Sequence, residues 1–180
     1  LTPDGGPARI DKAFSWDNPM SAHGLMHMVI SNAVAGDPYK IDTLFLYMAN
    51  MAWNSSMNTG QTMDMLRKRD ENGNYAIPHI IYSDAYSSEM VAFADLILPD
   101  RHFLESWGDS TPQAGVMALR QPVMQNVPHF DAKQTGDVLL SVASRLGSPL
   151  GAATFYEYLR SAHQAMHTAA MGDFETQWRE

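Results

Sequence analysis

The chain has 180 residues, of which 45% are hydrophobic and 18% charged, and its net charge is −8. These values are typical of a globular protein with a sizeable core, and the negative charge argues against a nucleic-acid partner or an anionic membrane surface. The chain contains no cysteine, which excludes disulfides and any iron–sulfur cluster or thiolate metal site made by this chain alone.

Hydropathy bears on membrane insertion, and the first residue bears on whether the chain is part of a larger protein. No apolar run approaches the roughly 18 residues that a membrane span needs, so we expect no direct membrane insertion. The first residue is Leu1 rather than Met, and we therefore expect a fragment or an excised domain.

The first part of the chain predicts an irregular lead-in followed by alternating helices and strands. Residues 1–18 are rich in Pro and Gly and show no periodicity. Asp17 or Asn18 can cap a helix that ends at Gly36. We then predict a buried strand at 43–48, a polar loop at 50–59, a helix at 59–69, a turn at 71–74 and a second strand at 79–82.

The stretch 77–105 extends this alternation. The second strand ends in a polar turn at Ser83 and Asp84, and a short helix at 87–94 leads to a third strand at 96–98, which Pro99 ends. Strand, helix, strand in this order implies parallel strands joined by right-handed crossovers. The predicted fold class is therefore α/β, with a small doubly wound parallel sheet (βαβαβ) flanked by helices, as part of a larger multidomain subunit.

Beyond Pro99 the pattern is weaker. We predict a loop at 101–112, a strand at 116–121 and a helix at 135–146 that Gly147 ends. Thr154 and Glu157 have capping-box spacing and open a last helix. The predicted domains are a lead-in at 1–18, an α/β portion at 19–147 and a C-terminal helical segment at 148–180.

Two histidine pairs, His23/His27 and His163/His167, have the spacing that places both rings on one helix face. A zinc protease motif requires Glu after the first His of the pair, but Gly24 and Gln164 occupy those positions. Surface histidines or histidines with protein partners are the preferred interpretation. The first strand is also followed by no glycine-rich phosphate loop, which argues against an ordinary nicotinamide or P-loop site.

Asp84 is the strongest candidate for a binding residue. It follows a buried strand and has Ser83, Ser87 and Ser88 around it. A carboxylate there can accept two parallel hydrogen bonds from a base edge such as N1–H and N2–H₂ of guanine. It can equally cap the following helix, as Ser87 could, and local chemistry leaves both alternatives open.

The order and spacing of Asp84, Ser88, the segment 94–99 (ADLILP) and Glu105 resemble the catalytic subunits of molybdopterin oxidoreductases of the dimethyl-sulfoxide-reductase family. The strand at 44–48 and Asn50 are similar to the family's preceding strand and Asn-Pro loop, although Met51 stands in place of the proline. We expect a structural role for Glu105.

Two segments resemble particular branches of this family. Residues 37–59 (DPYKIDTLFLYMANMAWNSSMNT) are similar to catalytic subunits that act on sulfur compounds, such as tetrathionate reductases and sulfite dehydrogenases. Residues 102–140 are similar to the molybdopterin-like subunit of alternative complex III, which transfers electrons and holds no molybdenum.

The resemblance implies that 19–147 binds the guanine nucleotide end of a bis(molybdopterin guanine dinucleotide) cofactor, bis-MGD, with molybdenum in the parent protein. It assigns the guanine to Asp84, a hydroxyl contact to Ser88 and the ribose or phosphates to Asn50, with Ser83 at the same cofactor-binding edge. The molybdenum ligand and an iron–sulfur cluster would lie outside this chain, which alone would not be catalytic.

The implied parent is redox-active on a sulfur oxyanion in anaerobic respiration. Its partners would be the rest of its own large subunit, together with iron–sulfur electron-transfer and membrane anchor subunits, on the periplasmic or cytoplasmic face of the bacterial inner membrane. The alternatives are a metal-free electron-transfer or scaffold subunit of a quinol-oxidising respiratory complex, and a free-standing α/β module for another nucleotide.

Overall fold

The computed structural model describes residues 9–11, 28–54, 58–168 and 171–179. The chain divides into two compact units, unit 1 (Leu1–Leu98) and unit 2 (Pro99–Glu180). The predicted helix cap at Asp17 or Asn18 and the His23/His27 pair lie outside the described residues. The predicted assignment of residues 19–147 to a cofactor-binding portion stays a prediction.

Unit 1 is built on a three-stranded sheet whose strands are β1 (Thr43–Tyr47), β2 (His79–Asp84) and β3 (Leu96–Pro99), in the order β1-β2-β3. β1 and β2 are parallel, with a register from Thr43 opposite His79 to Tyr47 opposite Ser83. The predicted α/β fold with a parallel sheet is confirmed. Because the strands follow chain order, the described part of the sheet contains no point where strand order reverses.

The helices of unit 1 are α1 (Val29–Ala35), α2 (Thr59–Leu66) and a 3₁₀ helix (Glu89–Phe93). α1 ends as predicted at Gly36, which has a φ of +71° and so takes the left-handed conformation that glycine allows. α2 ends at Leu66, before the predicted end at 69, because the chain turns back to form an isolated bridge between Arg69 and Tyr75.

The core of unit 1 lies on one face of the sheet. Leu44 and Leu46 of β1 are buried in a cluster with residues of α1, α2 and β2. Between them, Phe45 is 36% exposed, and Tyr47 after them is 50% exposed. The prediction of a wholly buried strand is therefore wrong for the described residues, since the core cluster covers one face only.

Unit 2 contains a 3₁₀ helix (Phe103–Glu105), strands β4 (Gly108–Gln113) and β5 (Val116–Arg120), and helices α3 (Thr135–Arg145), α4 (Phe155–Met166) and α5 (Phe174–Arg179). β4 and β5 pair in antiparallel fashion. The predicted strand at 116–121, the predicted helix before Gly147 and the Thr154 capping box are confirmed. None of the described helices is long and apolar enough to cross a bilayer.

Two predictions for unit 2 are wrong. β4 lies where a loop was predicted, because beyond Gly108 all of its residues are exposed and no apolar alternation identifies the strand. α4 is followed by α5, so the capping box does not open the last helix.

Candidate functional site

The carboxyl ends of β1 and β2 lie at one edge of the sheet because the strands are parallel and Tyr47 is opposite Ser83. Met48 follows β1 with a φ of +48°, and its N–H donates to the carbonyl of Ser83 at 2.9 Å. This left-handed conformation is uncommon for a residue other than glycine. It redirects the chain into a tight turn at 50–54, in which the N–H groups of Trp53 and Asn54 donate to the carbonyl of Asn50.

Asp84 is the last residue of β2 and is partly buried. Its Oδ1 accepts from the N–H of Tyr86 at 3.1 Å, and the hydroxyl of Tyr82 lies 2.9 Å from its Oδ2. The interpretation that Asp84 caps the following helix is wrong, because Ser88 is the capping residue. A carboxylate has about four lone-pair positions, so Asp84 retains capacity to accept one further bond at each oxygen.

Tyr82 contacts this carboxylate, and Ser88 begins the 3₁₀ helix that follows it. The Oγ atom of Ser88 accepts from the N–H of Met90 at 3.3 Å, which begins the 3₁₀ helix. Burial raises the pKa of the Tyr82 phenol; a hydrogen bond from Ser88 opposes this rise, and the negative charges of Asp84 and Glu89 add to it. The phenol therefore stays protonated and serves Asp84 as a donor.

Asn50 is tied to the loop after β2. Its Nδ2 atom donates to Oε2 of Glu89 at 2.6 Å, across 39 positions of sequence. Its Oδ1 atom is buried and has no hydrogen-bond donor among the described residues. Unpaired buried acceptors are rare in native proteins and need an explanation. We call the group formed by Asn50, Asp84, Ser88 and Glu89 the carboxyl edge.

Ser83 is 1% exposed and lies inside β2. The protein already covers its side chain, so direct contact with a ligand would require local repacking. Its carbonyl anchors the chain at Met48. Its predicted role as a cofactor-binding residue stays a prediction.

Three other acidic residues of the 84–105 segment bind backbone groups. Oδ1 of Asp100 accepts from the N–H groups of Arg101 and Thr135. Oδ2 of Asp95 accepts from the N–H of Ile80 at 2.8 Å, which ties β3 to β2. The Oε2 and Oε1 atoms of Glu105, which is 9% exposed, accept from the N–H groups of His102 and Val127, each at 3.0 Å. These contacts give Glu105 the structural role predicted for it.

The His163/His167 pair has protein partners. Nε2 of His163 lies 3.2 Å from Oδ2 of Asp109, and Nε2 of His167 lies 2.9 Å from the carbonyl of Gly172. Across the described ranges, no group of three or more His, Asp or Glu side chains is arranged to hold a metal ion.

Tyr82 and Glu89 were missed as members of this site. Tyr82 lies two residues before Asp84 and so on the same face of β2, which is a periodicity signal that could have identified it. No local sequence pattern identified Glu89 as a site residue, because its contact with Asn50 depends on the pairing of β1 with β2.

Comparison with known proteins gives two relatives. The chain is 49% identical over 154 residues to a sulfite dehydrogenase subunit from Allochromatium vinosum, a match that covers 81% of this chain and 16% of that protein. It is 28% identical over 113 residues to a tetrathionate reductase subunit from Salmonella typhimurium, which covers 61% of this chain and 11% of that protein. No family model matches the chain.

Both relatives are named as subunits of redox enzymes for sulfur oxyanions. This supports the resemblance inferred from the sequence at the level of sulfur-oxyanion oxidoreductases. The chain spans about a sixth of the length of the first relative and about a ninth of the second.

Proposed function

We propose that this chain is the part of a molybdopterin-dependent oxidoreductase large subunit that holds the guanine nucleotide end of bis-MGD. The observation that carries the proposal is the Asp84 carboxylate, partly exposed at the carboxyl edge and held in place by Tyr82 and Tyr86. In the parent protein the substrate would be a sulfur oxyanion, as the names of both relatives suggest.

The chemistry of the carboxyl edge suits a donor-rich ligand. Asp84 and Glu89 are acidic, and the side chain of Asp84 is partly exposed. Guanine presents N1–H and N2–H₂ side by side, and a carboxylate with one free position on each oxygen can accept both. The same edge would repel phosphates, so we place the base and the ribose hydroxyls here and the phosphates against other parts of the parent protein.

Tyr86 adds an aromatic surface beside Asp84. Its side chain is 66% exposed, and its backbone is fixed by the hydrogen bond to Asp84. Stacking of a base on an aromatic ring contributes about 1–3 kcal/mol. A purine bound to Asp84 could therefore be held by its edge and by its face.

The exposed face of the sheet supports the proposal that this chain is part of a larger parent protein. Parallel sheets are normally covered on both faces, yet Phe45 and Tyr47 of β1 are exposed. We propose that the rest of the large subunit covers this face and contains the iron–sulfur cluster. When bound, the cofactor would supply the molybdenum at which the sulfur compound is oxidised or reduced. Electron-transfer and membrane anchor subunits would complete the complex.

Cofactor content of the full-length protein tests this proposal. Asp84→Asn keeps an oxygen for the N–H of Tyr86 but turns one acceptor into a donor that opposes guanine. We expect the variant to retain roughly tenfold less pterin and GMP, since a charge-assisted bidentate contact is lost. Both are measured after acid release from the purified protein.

The matched control is Asp70→Asn. Oδ1 of Asp70 also accepts backbone N–H groups in a turn, from Asn72 and Asn74. This variant should retain the cofactor at the wild-type level. Unchanged pterin content in Asp84→Asn would count against the guanine assignment, and a wild-type protein without pterin and molybdenum would favour the metal-free electron-transfer subunit.

A further inference from the structure

Unit 1 has a cavity at the opposite end of the sheet from the carboxyl edge. Its volume is about 430 Å³, within the range of small-molecule sites. Arg67, Arg69 and Ile77 precede β2, and Asp95 directly precedes β3. Because these segments lead into neighbouring strands, the cavity lies at the amino-terminal edge of the sheet.

The floor of this cavity is apolar and its rim is basic. Leu66, Ile77 and Ile80 form the base of the cavity as part of the core of unit 1, and the more accessible Ala92, Phe93 and Ala94 supply the apolar surface that a ligand can contact. Arg67 and Arg69 are exposed and both line the cavity. Two positive charges above an apolar floor suit a ligand that is both anionic and apolar.

Aromatic rings hold both guanidinium groups in position. Cζ of Arg67 lies 5.0 Å from the ring centroid of Phe93, and Cζ of Arg69 lies 3.8 Å from that of Tyr75. A cation–π contact of this kind restricts the position of each guanidinium group. Among the described residues, neither arginine forms an ion pair, and Arg69 donates one bond, to the carbonyl of Gly73 at 2.6 Å.

Asp95 is the acidic residue in the lining of this cavity. Its Oδ2 atom accepts from the N–H of Ile80 at 2.8 Å, which holds the carboxylate against the sheet. Its single negative charge repels an incoming anion, while the two positive charges of Arg67 and Arg69 attract that anion.

We propose that this cavity binds a carboxylate joined to an apolar group. The floor takes the apolar group, and the guanidinium donors of Arg67 and Arg69 take the carboxylate oxygens, a geometry that arginine matches well. A small sulfur oxyanion would use the arginines but would leave the floor uncovered. The ligand can be a free aliphatic acid or the carboxyl-terminal residue of a peptide chain. The proposal is independent of the guanine site.

The test is a titration of the 180-residue chain, followed by NMR of its backbone amides. The probes are N-acetyl-leucine, N-acetyl-leucinamide, 4-methylpentanoate, acetate and sulfate. We expect saturable binding of the two apolar carboxylates and much weaker binding of the other three. Tighter binding of N-acetyl-leucine would identify a peptide terminus as the ligand, and tighter binding of 4-methylpentanoate a free acid.

Four variants localise the site. Arg67→Gln and Arg69→Gln should each weaken binding roughly tenfold. Lys68→Gln changes the net charge equally at an exposed neighbour outside the cavity lining, and should change affinity by less than about twofold, as expected of a screened surface charge. Arg67→Lys keeps the charge but loses the planar fork, so it should also weaken binding.

Equal binding of N-acetyl-leucine and its amide would overturn the proposal. Equal binding of sulfate, or an equal loss of affinity in Lys68→Gln, would also overturn it by indicating general attraction to positive charge. Circular dichroism of each variant confirms that the fold is retained, and Arg67→Lys provides the comparison if Arg67→Gln fails to fold.

Discussion

The hydroxyl of Tyr82 positions the candidate guanine-binding carboxylate. The residue is 1% exposed, and its oxygen lies 2.9 Å from Oδ2 of Asp84 and 3.2 Å from the carbonyl of Tyr86. The side chain thus connects the end of β2 to the turn that follows it. An otherwise mobile carboxylate at a strand end is held in one orientation before any ligand arrives.

Removal of this hydroxyl should destabilise the chain. Tyr82→Phe leaves the buried ring in place but removes the donor, which we expect to cost about 1–2 kcal/mol in the free energy of unfolding. Urea denaturation measures this change. Tyr39→Phe, at a side chain that is 46% exposed, is the control and should change stability by less than about 0.5 kcal/mol.

The same variant should alter the dependence of stability on pH. The pKa of Tyr82 is raised above its ordinary value of 10.0, chiefly by burial. As pH rises above that value, the unfolded chain releases the proton first, so the wild type loses stability. This contribution is complete below pH 10 and is lost as pH rises through the folded-state pKa. Tyr82→Phe should show a smaller loss, and identical slopes would contradict the assignment.

At the scale of elements, the contact of α3 with α4 depends on a glycine. A Cβ atom at Gly136 would lie 2.4 Å and 2.5 Å from Cδ2 and Cγ of Phe155, and 3.0 Å from its Cβ. The Phe155 N–H donates to Oδ1 of Asp137 at 2.6 Å, which fixes the start of α4 against α3. The ring therefore has little freedom to move away.

Gly136→Ala should destabilise unit 2 although alanine favours helices. The gain in helix propensity is about 1 kcal/mol, whereas overpacking costs about 1–3 kcal/mol, so the net effect should be destabilising. Gly60→Ala in α2 is the control, because its Cβ would lie 3.8 Å from Oδ1 of Asn58, an ordinary contact. That change should stabilise the chain, and thermal unfolding compares the two. A stabilised Gly136→Ala would contradict the packing described here.

The elements that could be predicted are those with a local signal. β1, β2 and β3 are apolar runs bounded by turn residues, and Thr154 caps α4 as its spacing indicates. β4 has no such signal, because an exposed hairpin strand needs no buried face. Local pattern likewise suggested a longer helix at 87–94, where Ser88 begins only a short 3₁₀ helix.

The candidate site, like the elements, was predictable only where the sequence carries a local signal. Asp84 ends β2 and Asn50 follows β1, and parallel pairing brings the carboxyl ends of the two strands together. The link from Asn50 to Glu89 spans 39 positions and follows only from the register of β1 and β2. The side chain of Ser83 is buried, which its proximity in sequence to Asp84 does not reveal, and its cofactor-binding role stays a prediction.

At the scale of the whole molecule, the chain combines the carboxyl edge with a sheet that leaves apolar side chains exposed. Leu96 and Ile97 of β3 are 48% and 47% exposed, in addition to the exposed residues of β1. The match to the sulfite dehydrogenase relative covers only 16% of that protein. The proposed function explains both features, since it makes this chain one part of a long subunit whose other parts provide the reactive centre.

The most direct test of the central claim is NMR titration of the 180-residue chain with guanosine and adenosine. Guanosine should shift the amides around Asp84 and Tyr86 saturably, with a Kd on the order of 1 mM for so small a ligand. Adenosine, which can stack on Tyr86 but lacks the paired donors, should shift them much less. Asp84→Asn should abolish the guanosine shifts and Asp70→Asn should preserve them. Equal shifts with adenosine, or guanosine binding that persists in Asp84→Asn, would contradict the claim that this carboxylate recognises guanine.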